Sequence, residues 1–435
     1  MGQDEDDRAR AAAAQAKDTA LGAALIANDK WLSWNILGSE DWATGTAEDL
    51  LSGGAWRRFG ERIAGLAERI QADTVPADPA TRADGYRYLA MLVRNGFDVA
   101  LEDFDPDRPK IFWQSRRHKY GWDCPDAIYA TVIVSPDAVY RLSGRRSNVH
   151  FLGLQAAAGM RTLANAHAGE WTIADDGSFA VVLGGPAREG NWMPLPEGTR
   201  WIFIREFFND WERERPASLW LDRIDEGPRS EPQGLLDPAF FARRLDAVAT
   251  HVEASVDLWM QTACALRERL TNAFPAENFG GTAMGAQNHQ AAGTCYYRVA
   301  PDEALLIESP VPNCHYWSFD LCNFWLESLD FANHQSSLNG HQSVVDHDGV
   351  FRAVVAHQDP GVANWLDPVG HVEGSIIYRW NLTDAAPVPT MRVVPAADVR
   401  RHLPPETALV TRAERARTIE GRREGVRRRF ARGLD

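Results

Sequence analysis

Chemistry concentrates between Cys314 and Trp380. The chain reads Cys-His-Tyr-Trp-Ser-Phe-Asp-Leu-Cys at 314–322, Asn-His-Gln-Ser-Ser-Leu-Asn-Gly-His-Gln at 333–342, and His-Gln-Asp-Pro-Gly-Val-Ala-Asn-Trp-Leu-Asp-Pro-Val-Gly-His at 357–371. Six of the twelve histidines, His315, His334, His341, His347, His357 and His371, lie in this stretch. An imidazole moves protons near neutral pH when a carboxylate fixes its tautomer. His334 or His357 is therefore the expected base, with Asp359 or Asp367 as its partner. Both aspartates also stand in turn sequences, so capping a turn is their plainer role. Asn339 and Arg379 are expected to position a substrate. Trp317 and Trp365, with Trp325 and Trp380, offer aromatic faces to a ring. His341, Asn364 and His371 add hydrogen-bonding groups. The loop at 333–342 suits the binding of hydroxyls, or else its amides satisfy its own backbone.

Strand alternation sorts part of this set. Over 315–322, His315, Trp317, Phe319 and Leu321 share one face, and Tyr316, Ser318, Asp320 and Cys322 share the other. Asp320 thus belongs to a hydrogen-bonding face backed by an apolar one. His357, Asp359 and His371 also form a two-histidine, one-carboxylate set, with Arg379 placed to hold a co-substrate carboxylate. All three ligands fall within 15 residues, too few for the hairpin strands they would need. The expectation is no metal and no cofactor. Earlier in the chain, His118, Tyr120 and Asp123 follow Arg116 and Arg117 and could line the facing wall of an interdomain cleft. A surface basic cluster is the simpler reading of that segment.

The elements that must position these residues change in texture along the chain. Residues 1–110 read as helical after a frayed acidic start, with one stripe from Trp56 to Ile70 and another from Tyr88 to Phe104. Residues 111–230 hold many short β-rich runs separated by turns, among them Asp175-Asp176-Gly177, which predicts a β-sandwich. Asp237 and Pro238 start a long helix within 231–275. Strands resume over 276–395, with a hairpin turn at Asp346–Gly349, and no βαβ alternation appears. A jelly-roll-like sandwich fits this part. The fold class is α+β overall and mainly β.

Composition narrows the function classes. The chain has 435 residues and a net charge of −14, so binding to nucleic acid or to an anionic membrane is disfavoured. Arg422, Arg423, Arg427, Arg428, Arg429 and Arg432 crowd the end at 396–435. They read as a solvated, salt-bridged helix or as a surface for an anionic partner. No run of apolar residues is long enough to cross a membrane. The start is acidic where a signal peptide is basic. Five cysteines without a CxxC pair suggest reduced thiols and a cytoplasmic protein. Walker, GxSxG, HExxH and EF-hand patterns are absent from the sequence, and Gly280–Gly285 reads as a loop.

Tyr316-Trp317-Ser318-Phe319, Glu327-Ser328-Leu329-Asp330-Phe331, Ser336-Ser337-Leu338-Asn339 and Asp359-Pro360-Gly361-Val362-x-Asn364-Trp365-Leu366-Asp367 together resemble the bacterial family called domain of unknown function 1214. Gly190-Asn191-Trp192-Met193-Pro194-Leu195, followed by Arg205 and Asp210-Trp211, is more loosely similar to domain of unknown function 1254. The resemblance covers about 118–385. It implies an immunoglobulin-like sandwich followed by a jelly-roll-like one, and no established reaction or catalytic residue. The residues themselves point to a hydrolase or lyase for a small hydroxylated or amphipathic metabolite, such as a sugar- or steroid-like ring. A noncatalytic ligand- or partner-binding module is the alternative, and a purely structural role a third. A small-molecule ligand is the expected partner, and a homo-oligomer is left open.

Overall fold

A computed structural model describes residues 45–100, 105–114, 118–158, 161–231, 236–276 and 290–431. The glycine-rich loop Gly280–Gly285, Arg116, Arg117, Arg432, the acidic start and the Leu101–Phe104 end of the second helical stripe lie outside them.

The first sandwich contains nine strands: β1 (Phe112–Trp113), β2 (Ala127–Ile133), β3 (Tyr140–Arg145), β4 (Phe151–Ala158), β5 (Arg161–His167), β6 (Ser178–Leu183), β7 (Trp192–Met193), β8 (Trp201–Phe207) and β9 (Ser218–Arg223). They form one sheet in the order β1-β2-β8-β4-β5 and a second in the order β7-β6-β3-β9. Alternate residues of both sheets, including Ile128, Val132, Leu142, Leu154, Val181 and Ile204, meet in one core. Gly177 takes a φ of +82° in the turn before β6, the conformation its sequence called for.

The second sandwich contains β10 (Gln290–Arg298), β11 (Glu303–Pro310), β12 (Cys314–Cys322), β13 (Ser337–Asn339), β14 (Val350–Ala356), β15 (Trp365–Leu366), β16 (Glu373–Thr383) and β17 (Thr390–Pro395). Its sheets run β10-β16-β12-β13 and β15-β14-β11-β17. Trp317, Phe319, Tyr378, Trp380, Phe351 and Ile307 fill the space between them. The far face of the second sheet is covered by the turn Ala396–His402.

The helices are α1 (Ala47–Leu51), α2 (Gly54–Gly65), α3 (Ala67–Ile70), α4 (Pro79–Ala100), α5 (Pro238–Arg269) and α6 (Arg412–Arg429). Asp237 caps α5 by accepting from the amides of Ala239 and Phe240. Val248, Val252, Trp259 and Leu266 of α5 join Trp201 of the first sandwich and Tyr296 of the second in one continuous cluster. The long helix is therefore core, with both sandwiches packed about it.

The C-terminal helix corrects the solvated reading. Arg415, Arg422 and Arg429 are buried. Their seven-residue spacing puts all three on one side of α6. Arg423, Arg427 and Arg428 lie outward and pair with Glu420 and Glu424. Arg415 reaches Asp359, Gln335 and the carbonyl of Val362. Arg422 donates to the carbonyls of Phe331 and Ser337. Arg429 donates to the carbonyl of Pro125. The helix is pinned to both sandwiches by guanidinium groups in place of an apolar stripe. A capping box between Thr411 and Glu414 starts it.

Candidate functional site

β12 pairs with β16 and β13 so that Tyr316 lies opposite Asn381, Ser318 opposite Arg379 and Asn339, and Asp320 opposite Ile377 and Ser337. These residues share one face, because side chains alternate along a strand. The reverse face carries Trp317, Phe319 and Leu321 into the core. The polar face is covered by the first sandwich, where Tyr316 stacks on Phe207 with ring centroids 4.8 Å apart.

The segment 118–126 links both sandwiches and the helices. His118 bonds Asn95 of α4, and Tyr120 bonds Ser255 of α5 at 3.1 Å. Lys119 donates to the carbonyls of Ser328 and Leu329. Trp122 donates its indole N–H to Ser375 Oγ at 3.1 Å, and its carbonyl accepts from Arg379 at 2.5 Å. Asp123 accepts from the amide and hydroxyl of Ser328. Cys124 Sγ lies 3.3 Å from the Tyr316 hydroxyl. Asp126 accepts from Tyr316 at 2.6 Å, Trp211 at 2.6 Å and Asn339 at 2.8 Å. Trp122 holds a φ of +59°, a backbone state that a side chain this large adopts only when its surroundings fix it.

Asp320 is the chemically distinctive group. It is 0% exposed, and its Oδ2 bonds Arg379 and accepts from Ser318 at 3.1 Å. Its Oδ1 has no hydrogen-bond partner among the described residues. Burial pushes its carboxyl up to about 7, with the Arg379 charge opposing. Further along the same face, Asn381 is 1% exposed, and neither its Oδ1 nor its Nδ2 has a partner among the described residues. Arg205 and Tyr129 of the first sandwich face this region, and burial, with Arg379 nearby, pushes Arg205 down to about 10. The Cys124 thiol is driven well above its ordinary range by burial, so it is no nucleophile. Asp320 Oδ1 and both polar atoms of Asn381 are thus left unspent on one buried face among the described residues.

The remaining sequence candidates are dispersed. His334 Nδ1 lies 2.8 Å from Asp367 Oδ2, the imidazole–carboxylate pair expected between those residues, and it is partly exposed. Asp367 also caps its turn by accepting from the amide of Val369. His357 bonds the carbonyl of Val299, and Asp359 accepts from Gly361 and Arg415, so Asp359 orients neither histidine. His371 bonds Asp84 of α4 at 2.9 Å. Burial disfavours its charge, but the Asp84 hydrogen bond and carboxylate outweigh that and raise its pKa. The metal set His357, Asp359 and His371 is therefore not assembled, and no three His, Cys, Asp or Glu side chains among the described residues could hold a metal ion. His341 is exposed beside Asp210 at 3.7 Å. Asn364 spends its amide on Val344 and Arg352, and the Trp365 indole donates to Ala356. Trp317 packs against Phe351 and Trp380 inside the second core, on the face opposite Asp320. Asn339 joins the sandwiches through Asp126.

Of the expected set, Asp320, Arg379 and Asn339 share the buried face, while His118 and Tyr120 stand on the segment that covers it. The histidines after 314 do not gather on this face: His334, His357 and His371 bond Asp367, Val299 and Asp84 separately. Asn381 and Asp126 are additions. Alternation from Arg379 would have found Asn381. Nothing local marks Asp126.

Among solved structures, an uncharacterised protein from Burkholderia cenocepacia shares 33% identity with a TM-score of 0.74, over 81% of this chain and 99% of that one. A protein from Vibrio parahaemolyticus shares 12% identity with a TM-score of 0.43, over 76% of this chain and 100% of that one. No family model matches the sequence, and no curated protein matches it.

Proposed function

Because this chain belongs to the family of the uncharacterised Burkholderia cenocepacia protein, which lends it no activity, we propose a function from the buried polar face alone. The protein is a cofactor-independent hydrolase or lyase for a small hydroxylated metabolite bound between the two sandwiches. The observation that carries this reading is Asp320. One of its oxygens is fixed by Arg379 and Ser318, and the other is buried without a partner among the described residues, where a ligand hydroxyl would meet it. A carboxyl pushed up to about 7 can give or take a proton at neutral pH. Asn381 offers a donor and an acceptor on the same face. The domain of unknown function 1214 pattern is proposed as this family's signature. A reducing, cytoplasmic setting is proposed from cysteines that are all free.

The test is a thermal-shift screen of hydroxylated metabolites, followed by turnover assays on each hit. A hit should stabilise the wild type and be converted by it. Asp320→Asn should keep the shift and lose turnover by about 100-fold or more. Asn381→Leu should lose the shift. A hit converted equally well by Asp320→Asn would overturn the reading.

A second reading rests on the 2.8 Å contact between His334 and Asp367, which leaves His334 Nε2 as a general base at the surface. His334→Gln abolishing turnover that Asp320→Asn leaves intact would select it. Binding without conversion by any variant would select the noncatalytic module.

A further inference from the structure

His150 immediately precedes β4 of the first sandwich, and His315 is the second residue of β12 in the second. Their rings lie face to face across the boundary, with centroids 4.2 Å apart and planes inclined by 18°. The bonding is reciprocal. His150 Nε2 donates to the carbonyl of His315 at 2.7 Å, and His315 Nε2 donates to the carbonyl of His150 at 3.0 Å. A carbonyl can only accept, so both neutral rings carry their hydrogen on Nε2 and keep a lone pair on Nδ1.

Among the described residues, Glu214 and Arg146 face the pair and His167 stands one ring away. Glu214 Oε1 lies 3.8 Å from His150 Nδ1. Arg146 donates to the carbonyl of His150 at 3.4 Å. His167 stacks on Phe151, whose ring is tilted by 57° against His315. A charge on His150 Nδ1 faces the Glu214 carboxylate. A second proton, on His315, sets two parallel imidazolium rings against each other with Arg146 adding a third positive charge. Burial already holds His315 below the ordinary imidazole range, and the charges of His150 and Arg146 push it the same way. The hydrogen bonds do not require neutrality, because Nε2 remains a donor in either state. Electrostatic repulsion alone changes.

We infer that the stacked His150 and His315 form a pH-operated clasp between the two sandwiches, closed while at most one ring is charged and released when both are. The residues that follow make the release matter. Phe151 and Tyr316 pack with Phe207 against the buried polar face, and the Tyr316 hydroxyl bonds Asp126. Parting the rings loosens the contact between the sandwiches at that end. The clasp needs no ligand, so it stands or falls separately from the role given to Asp320.

The experiment is a titration of the full chain labelled in its histidine rings, combined with amide hydrogen exchange corrected for intrinsic rate. His150 and His315 should titrate as a coupled pair, in two steps separated by at least about tenfold in proton concentration. The second step should coincide with about tenfold or greater loss of protection at the amides of Phe151 and Tyr316. His150→Gln with His315→Gln keeps a side-chain donor at each position and cannot charge, so its protection should stay level across the same pH range. His315→Gln alone carries at most one charge and should also stay level, which gives a second variant if the double one folds poorly. Independent titration of the two rings, or protection in the wild type that is blind to the second step, overturns the clasp.

Discussion

A carboxamide fixes which nitrogen carries the hydrogen in two imidazoles buried inside this protein. Asn95 Oδ1 accepts from His251 Nε2 at 2.9 Å, and the amide of Asn95 meets Nε2 of His118. Protonating His118 would set a donor against a donor. Burial pushes both histidines down to about 4. A depressed imidazole contributes stability that is complete above its unfolded value near 6.5. That stability is lost as pH falls through 4, because the unfolded chain binds the proton first. Each group contributes on the order of 3 kcal/mol across that window. Asp320 and Glu327, both pushed up to about 7 by burial, act in the opposite sense and contribute stability that fades as pH rises. The two trends separate only by substitution. Urea unfolding of wild type and of His118→Gln with His251→Gln should show the wild type losing several kcal/mol relative to the variant between pH 7 and pH 4. A difference independent of pH would rule out neutral burial of these rings.

At the scale of elements, the segment 118–126 carries the most consequence per residue. Gly121 sits at a φ of +52°, and a Cβ there would come within 2.5 Å of the Trp259 ring on α5. Gly121→Ala combines a left-handed alanine, about 1–2 kcal/mol, with overpacking of about 1–3 kcal/mol. Its thermal midpoint should fall by several degrees. An unchanged midpoint would show that this segment does not bear on the helix as described. Elements with a local signature were legible in the sequence: the capped start of α5, the alternation in β12, and the turns at Gly177 and Gly349. Short strands such as β13 and β15 were not, since two or three residues carry no period. The site was half legible for the same reason. Alternation placed Asp320 on a polar face, but His371 with Asp84 and Asn339 with Asp126 are joined across long stretches of chain. Runs of polar residues announce their chemistry and leave their partners unspecified.

At the scale of the whole molecule, α6 binds the two sandwiches into one unit. Removing residues 411–435 would leave the carbonyls of Pro125, Phe331, Ser337 and Val362 without their guanidinium donors. The truncated chain should melt at lower temperature, and its calorimetric enthalpy should exceed the van't Hoff value as cooperation between the halves is lost. An unaltered melting profile would show the helix to be dispensable. Its arginine spacing has one more effect. A segment with no apolar stripe, burying little more than Val426, gains little from collapse alone. It settles only where carbonyls from distant parts of the chain already stand at the right separations. Any copy with one half misassembled keeps a loose, arginine-dense end open to trypsin-like proteases, so clipping there reports which copies reached completion.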